Sequence, residues 1–445
     1  MIKSDIDVLN KFWLAEQPVQ ARREGVLNSG RNKSRLKVLA LSCAIISCSI
    51  AQLHASPILT PHVSAQVQAA PTSNAWFEID IKKFEQNLAN LEQRLDGKSQ
   101  ICAVLKGDAY GHGINLVMPS IIKMNIPCVG VASNAEIAVA RDAGYKGRIM
   151  RLRAATDEEI INVASLNVEE LIGNLEQAQR ISKWAKEHGQ TIRYSLSLNS
   201  GGMDRNGIEM QSPKGKADAL AITQLSNLKI VGIMTHYAVE DVDYVRTRYK
   251  RFQEESSWLI KTAKLNRKEL TLHTANSFTT LNVPEAHADM VRAGYLLFGW
   301  APDNAPFSTI MSFKTRVTEV NSYLKGTTVG YDQTFELKRD SKLANLPIGY
   351  SDGYPSSLGN VGHVLIRGHK LPIVGKVMMN TMMVDVTDYP DVLAGDEVVL
   401  LGQQQGNEIK ISEIEDLTKR EMLNLWLEWS HSSPKVAVNS GAILN

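Results

Sequence analysis

The sequence lacks the features that mark several common classes of protein. No apolar run reaches the length of about 20 residues that a membrane-spanning helix needs. Lysine and arginine total 49 against 47 acidic residues, and no basic cluster interleaves with aromatic side chains, so nucleic acid is not an expected partner. Cysteine, histidine and carboxylate residues do not cluster at metal-ligand spacing, so no metal site is expected. Cysteine itself is scarce, with four residues in the chain of 445.

The first 75 residues differ in composition from the rest of the chain. Basic residues precede the apolar run from Val38 to Ile50, and small residues follow it. This order is typical of a secretory signal peptide. We therefore expect an N-terminal extension with a signal peptide over residues 1–55, a flexible leader over residues 56–75, and a periplasmic location. A short buried helix and a lipoprotein processing site at Cys48 are the alternative interpretations.

The rest of the chain divides into two patterns. Between residues 76 and 305, apolar strand patterns alternate with helix patterns, and eight such strands predict an α/β fold with a (β/α)8 TIM-like barrel. From residue 306 to 445, short runs broken by Gly, Pro, Asn and Asp predict a second, mainly β domain. The predicted barrel strands are Ile101–Lys106, Cys128–Ser133, Arg148–Leu152, Glu170–Gly173, Ile192–Leu198, Ile230–His236, Leu270–Thr274 and Met290–Arg292.

Two cysteines remain once a signal peptide is removed. Cys102 and Cys128 each begin a predicted barrel strand, and these strands are neighbours about 5 Å apart. That separation suits a disulfide, and an oxidising compartment permits one. We expect a disulfide that stabilises the barrel at a distance from the chemistry, with two buried free thiols as the alternative.

Candidate functional side chains gather at the carboxyl ends of the predicted barrel strands, where this fold builds its active sites. Lys106 ends the first barrel strand before a glycine-rich turn, and an amine there can form a Schiff base with an aldehyde. His236, His273 and Arg292 end strands six, seven and eight, and Arg205 follows strand five. Any one of them alone is more often packed or solvated, but their joint placement indicates an active site.

The string from Ala103 to Gly113, Ala-Val-Leu-Lys-Gly-Asp-Ala-Tyr-Gly-His-Gly, resembles the cofactor-lysine motif of the alanine racemase family. The resemblance implies that Lys106 holds pyridoxal 5'-phosphate and that the first strand, residues 76–80, joins the β domain. It also implies a wider set of cofactor-binding residues, namely Tyr110, His236, His273, Asn276, Ser277, Arg292, Gly294 and Tyr295.

The same resemblance assigns roles to several of these side chains. It implies that His236 packs against the cofactor ring and that Arg205 reaches the cofactor and the substrate carboxylate. It places Arg292 beside the pyridine nitrogen. Arginine stays protonated in proteins, so it cannot take a proton from the ring, and the cofactor is a weaker electron sink. This favours proton removal at the α-carbon over transamination.

Three loops of the predicted β domain also match motifs of the family. Tyr331 resembles the catalytic tyrosine, Tyr350 a tyrosine at the active-site entrance, and Met379 a loop whose backbone amide meets the substrate carboxylate. The resemblance implies a two-base mechanism in which Lys106 and Tyr331 act on opposite faces of the substrate. It further implies a homodimer with shared active sites, in which the partner donates the tyrosine.

Departures from the family pattern bear on the substrate. The family's carbamylated lysine has no counterpart, and Asn199 stands nearby, which leaves room for an anion or water. This departure, together with Asn206 and the signal peptide, resembles the broad-specificity members. We expect a racemase that interconverts L- and D-amino acids with basic, long aliphatic and small side chains. The alternatives are a dedicated alanine racemase, a decarboxylase of related architecture and a non-catalytic pyridoxal-phosphate-binding protein.

Overall fold

A computed structural model describes residues 72–203, 205–302 and 304–440 of the chain. The expected signal peptide and nearly all of the expected leader lie outside these residues. Among the described residues, no helix is both long enough and apolar enough to cross a bilayer.

The first half of the described chain forms an eight-stranded parallel sheet, in the order β8-β7-β6-β5-β4-β3-β2-β9. Pairing of β2 with β9 curls the sheet round, and two backbone hydrogen bonds link the segments of β8 and β9. The sheet is therefore a nearly closed barrel, and the expected fold class is confirmed. Its strands are β2 (Gln100–Val104), β3 (Cys128–Val131), β4 (Arg148–Arg151), β5 (Val168–Ile172), β6 (Ile192–Ser197), β7 (Leu228–Met234), β8 (Thr271–His273) and β9 (Met290–Ala293).

Helical segments follow the strands of this half, and the one after β2, Lys106–Tyr110, is a tight turn at the rim rather than a regular helix. In most of the others a side chain at the first turn accepts backbone N–H groups, as Ser133 and Glu136 do in a reciprocal capping box. The segments are α1 (Ile81–Leu95), α2 (Lys106–Tyr110), α3 (Ile114–Lys123), α4 (Asn134–Asp142), α5 (Asp157–Asn162), α6 (Leu175–Glu187), α7 (Pro213–Thr223), α8 (Val242–Thr262) and α9 (Ser277–Asn282).

The second half is built on a ten-stranded sheet, in the order β11-β14-β17-β16-β15-β18-β10-β1-β20, with β19 paired to β18. Its first strand, β1 (Ala75–Asp80), precedes the barrel in sequence and runs antiparallel to β10. The other strands are β10 (Met311–Arg316), β11 (Glu319–Tyr323), β14 (Ser341–Leu346), β15 (His363–Ile366), β16 (His369–Val374), β17 (Met382–Asp385), β18 (Glu397–Gln404), β19 (Asn407–Ile409) and β20 (Lys435–Val438). A separate hairpin consists of β12 (Thr328–Val329) and β13 (Phe335–Glu336).

Two features of the second half differ from the sequence-based expectation of strands and turns. Helices α10 (Ile411–Thr418) and α11 (Met422–Trp429) lie before the last strand. Trp426 and Trp429 of α11 are fully buried. Burial of two large aromatic side chains stabilises this short helix through packing, which overrides its weak local signal.

The expected disulfide joins Cys102 and Cys128, which are directly paired across β2 and β3 with their Cα atoms 4.3 Å apart. Both cysteines are fully buried. The bond crosslinks the first two strands of the barrel, β2 and β3.

Candidate active site

A cavity opens at the carboxyl ends of the barrel strands. Its empty volume is about 590 Å³, including the solvent-open space at its mouth. Most of the residues predicted for the cofactor lie on its wall. These are Lys106, Tyr110, Arg205, His236, Asn276, Ser277, Arg292, Gly294 and Tyr295. Apolar side chains of Val104, Leu152 and Met234 complete the floor.

Lys106 does not end its strand, as expected from the sequence, but begins the tight turn that follows. Backbone φ angles from Gly107 to Tyr110 lie between 53° and 64°, a left-handed turn in which three of the four residues are not glycine. Such a conformation is costly for L-residues, so other groups must hold it. Glu136 does so by accepting the backbone N–H groups of Gly107 at 2.6 Å and Asp108 at 3.2 Å.

Arg292 is buried and heads a chain of hydrogen bonds that runs into the barrel. Its Nη1 lies 2.9 Å from His273 Nδ1, and His273 Nε2 lies 3.0 Å from the hydroxyl of Ser195. Arginine has donors only, so Nδ1 must accept and Nε2 must carry the proton. The Ser195 hydroxyl then donates to Glu169 Oε1 at 2.5 Å, and Arg148 pairs with the other oxygen at 2.7 Å.

His273 therefore reaches the cavity only through Arg292. It is fully buried beneath that side chain and does not line the wall. Burial, with the charge of Arg292 adding to it, holds its pKa well below the ordinary value, so the ring is neutral. Ser195 and Glu169 were missed from the sequence, because inward-facing polar residues of a barrel strand give no signal along the chain.

His236 lies on the wall, and its Nδ1 is 3.3 Å from Arg292 Nη2. Burial holds its pKa well below the ordinary value, and the positive charges of Arg292, Arg205 and Lys106 lower it further. The imidazole is neutral, so it can present an uncharged flat face to an aromatic ring in the cavity.

Gly294, Tyr110, Ser277 and Asn276 lie together on the wall of the cavity, and we call this group the cradle. A Cβ on Gly294 would collide with the hydroxyl of Tyr110, so only glycine lets that hydroxyl approach the backbone so closely. The hydroxyl of Ser277 lies 3.2 Å from the Gly294 nitrogen, and Asn276 caps the following helix. Neutral hydroxyl, amide and backbone groups gathered in this way suit a phosphate group, so these residues fit pyridoxal phosphate.

One further residue of the wall was missed from the sequence. Glu240 lies in the loop after β7, with Oε1 3.4 Å from Asn276 Nδ2, and burial raises the pKa of its carboxyl group. Glu240 lies six residues beyond Met234, the last residue of β7, which is a rim position. The rule that barrel sites occupy such loops could have singled it out.

The two asparagines expected near the substrate lie outside the wall of the cavity. Asn199 donates from Nδ2 to Glu209 at 3.0 Å, and the same carboxylate pairs with Arg251 at 2.5 Å. Asn206 has a left-handed φ of 53° directly after Arg205, which does line the wall. The asparagines thus shape the loop that carries the arginine.

The three predicted loops of the β domain do not reach this cavity within one chain. Tyr331, Met379 and Tyr350 are 72%, 54% and 50% exposed, respectively, and none lines the wall. The loops nevertheless lie close together, because the Met378 carbonyl accepts the Tyr350 N–H at 3.0 Å and Lys376 forms an ion pair with Asp332, next to Tyr331. The structure thus brings the predicted residues into two groups, one in the barrel and one on the β domain.

Family comparisons cover both halves of the chain. Residues 79–302 match the alanine racemase N-terminal domain, and residues 310–437 match the alanine racemase C-terminal domain. The chain belongs to the alanine racemase family. This confirms the family expected from the Lys106 motif.

Curated relatives in the alanine racemase family are similar over most of the chain. The broad specificity amino-acid racemase of Pseudomonas taetrolens is 50% identical over 400 residues, which cover 90% of this chain and 98% of that protein. The lysine racemase of Proteus mirabilis is 44% identical, covering 84% and 92%. The crystal structure of Bacillus anthracis alanine racemase with bound L-Ala-P matches with a TM-score of 0.75 at 26% identity, covering 85% and 98%.

Proposed function

We propose that this protein is a pyridoxal-phosphate-dependent amino-acid racemase of broad specificity. The observation that carries the proposal is the meeting of Lys106, neutral His236 and Arg292 around one cavity that ends in an anion cradle at Gly294. Membership of the alanine racemase family and the similarity to broad-specificity and lysine racemases support it.

The chain supplies the groups that bind the cofactor and move protons. When bound, pyridoxal phosphate makes the α-proton of an amino acid acidic enough to be removed. Lys106 holds the cofactor, and then takes or returns the α-proton on the face of the D-enantiomer. Tyr331 serves the opposite face and the L-enantiomer. Both transfers need hydrogen-bond reach between the base and the α-carbon.

Arg292 limits the chemistry to proton transfer. Its position is fixed by His273, which donates in turn to the hydroxyl of Ser195. A guanidinium can only donate, so Arg292 would leave the pyridine nitrogen of a bound cofactor without a proton. That would restrain electron withdrawal and disfavour side reactions such as transamination. It also disfavours the decarboxylase alternative.

The active site is proposed to be shared between two chains. Tyr331 and Met379 are exposed and stand apart from the cavity of their own chain, as residues donated to a partner would. Inactive Lys106→Ala and Tyr331→Phe chains should therefore recover partial activity when their subunits exchange. Absence of recovery after exchange verified by mass spectrometry would contradict a shared site.

The proposed substrates are amino acids with long, basic or small side chains, including lysine, arginine, methionine and alanine. Asn199 is directed to Glu209, so no long charged side chain from this position fills the space beside Arg205. Apolar pockets discriminate poorly between side chains that differ by methylenes, at roughly 1–3 kcal/mol each. Substrates branched at Cβ and acidic ones should be poor.

We also propose a periplasmic location, on the basis of the basic, apolar and small order of residues 31–55. Edman sequencing of the chain recovered from a periplasmic extract would identify the processed N-terminus. A full-length chain confined to the cytoplasm would contradict the proposal.

The function is tested by chiral chromatography of each L-amino acid after incubation with the purified protein and cofactor. Turnover of lysine, arginine, methionine and alanine supports broad specificity, whereas turnover of alanine and serine alone indicates a dedicated alanine racemase. Lys106→Ala should lose both the Schiff-base absorbance and racemisation. A Lys106→Ala protein that racemises at the wild-type rate would refute the proposed function.

A further inference from the structure

The hairpin that carries Tyr331 has little backbone support of its own. Its strands β12 and β13 are two residues each and pair only with one another among the described strands. A two-stranded hairpin of this size is marginal in water. Tyr331 lies at its tip and is 72% exposed, so something outside the hairpin must fix its position.

Contacts with the neighbouring loop 375–380, which carries Met379, provide that support. Lys376 forms an ion pair with Asp332, the residue next to Tyr331. Asn360 bridges the two loops, because its Oδ1 accepts the Gly375 N–H at 2.6 Å and its Nδ2 donates to Thr334 Oγ1 at 3.1 Å. Two polar links thus join loop 375–380 to the Tyr331 hairpin, namely the Lys376–Asp332 ion pair and the Asn360 bridge to Thr334.

Backbone packing brings the same two loops together. A Cβ on Gly375 would lie 2.8 Å from the Val329 carbonyl oxygen, and one on Gly330 would lie 3.2 Å from the Lys376 nitrogen. Glycine at both positions therefore allows the chains to approach closely. The two polar links themselves lie at the surface, since Lys376 and Asp332 are 46% and 71% exposed, but they join backbones that pack closely.

Loop 375–380 is itself fixed to a third loop. The Met379 carbonyl accepts hydrogen bonds from the N–H of Ser351 at 2.9 Å and from its hydroxyl at 2.7 Å. Asn380 donates to that hydroxyl at 2.7 Å. The anchoring therefore continues into the loop of Ser351, so the Tyr331 hairpin is linked through loop 375–380 to a third segment of the β domain.

We propose that Lys376 and the Asn360–Thr334 bridge are positioning residues that hold Tyr331 at the distance and angle its proton transfer requires. This inference rests on the proposed function, in which Tyr331 is the base for the L-enantiomer. Neither link touches substrate or cofactor. They act through the loop, and they couple the placement of Tyr331 to that of Met379.

The variants Lys376→Met and Thr334→Val remove the two links with little change of shape, and Lys376→Arg restores the ion pair. Exposed ion pairs contribute little to global stability, so the fold should survive. Lys370→Met is the matched control, because Lys370 on β16 is similarly exposed and forms an ion pair with Glu413 of α10 at 2.7 Å. It should behave as the wild type does.

The readout is the deuterium isotope effect on kcat/KM with α-deuterated L-lysine and D-lysine. Each single variant should lower kcat about tenfold and the double variant about a hundredfold, since displacement by 1 Å can cost about 10²-fold. With the L-enantiomer Tyr331 removes the deuteron, so a slower step at Tyr331 should raise the isotope effect. With the D-enantiomer Lys106 removes the deuteron, so a slower step at Tyr331 should lower the isotope effect. Hydrogen exchange of residues 327–337 should also quicken in the double variant.

Wild-type isotope effects in the double variant would overturn the inference, whatever its total activity, because a structural role lowers the active fraction equally for both enantiomers. Failure of Lys376→Arg to restore the L-enantiomer effect would overturn the role of the ion pair. A wild-type protein without any racemisation would instead refute the proposed function, and hydrogen exchange would still test whether the links hold the hairpin.

Discussion

His112 makes the stability of the barrel dependent on pH. It follows the Lys106 turn, is fully buried, and lies between the rings of Phe298 and Trp426, at centroid distances of 4.6 and 4.8 Å. Its Nδ1 lies 3.0 Å from the carbonyl oxygens of Ala109 and Tyr110, so this nitrogen carries the proton. Burial lowers the pKa of His112 from 6.5 to about 3.

The direction and size of the effect follow from this pKa. The nearby charges oppose each other, since Lys435 lowers the pKa and Asp108 raises it. The unfolded chain takes up a proton below pH 6.5, while folded His112 stays neutral down to about pH 3. Its contribution to stability is complete above pH 6.5 and is lost as the pH falls. At pH 5 the loss is about 2 kcal/mol, at 1.36 kcal/mol for each pH unit below 6.5.

The assay is urea unfolding of the cofactor-free protein at pH 7.5 and pH 5. The wild type loses more than His112 alone explains, because His236 and His273 also have lowered pKa values. His112→Gln should reduce the difference between the two pH values by about 2 kcal/mol. His188 is an exposed histidine that stacks on Trp184, so His188→Gln should leave the difference between the two pH values unchanged. An unchanged difference in His112→Gln would refute the reasoning.

Three further changes test the site and the barrel. Gly294 has a φ of −117°, which alanine tolerates, so Gly294→Ala changes only the space beside Tyr110. The new methyl group should displace Tyr110 and raise the dissociation constant of pyridoxal phosphate at least tenfold, as measured by absorbance titration. Unchanged affinity would contradict the role of the cradle. Ser195→Ala should lower the free energy of unfolding by about 1–3 kcal/mol, since buried Glu169 loses a donor. Cys102→Ser should lower it by about 3–4 kcal/mol for a loop of 26 residues, and non-reduced peptide mapping that finds two free thiols in the wild type would rule out the bond.

The barrel and its rim could be predicted from the sequence because they depend on local patterns. Apolar runs of strand length recur between helices, and residues such as Lys106 and His236 follow them directly. The predicted bounds were close, with β5 starting at Val168 rather than Glu170 and β7 ending at Met234 rather than His236. Errors of this size are ordinary, because strand ends depend on pairing.

Other parts of the site depend on contacts between distant segments, which a single sequence does not reveal. The position of His273 beneath Arg292 is decided by how far each strand extends into the barrel. Glu169 reaches the same network from β5, which is not a neighbour of β8 in the sheet. The left-handed turn after Lys106 has glycine only at Gly107 and depends on Glu136 from the next unit of the barrel. Each of these needs the fold before it can be seen.

The turn after Lys106 also depends on the last part of the chain. Asp108 forms an ion pair with Lys435 of β20 at 2.9 Å, and β20 pairs with β1. A Cβ on Gly111 would come within 2.7 Å of the Trp426 carbonyl oxygen, so α11 lies directly against the turn. A chain still being synthesised has the lysine but not these supports. We therefore expect maturation to be ordered in time, with the cofactor acquired only after the final strand has been made and docked.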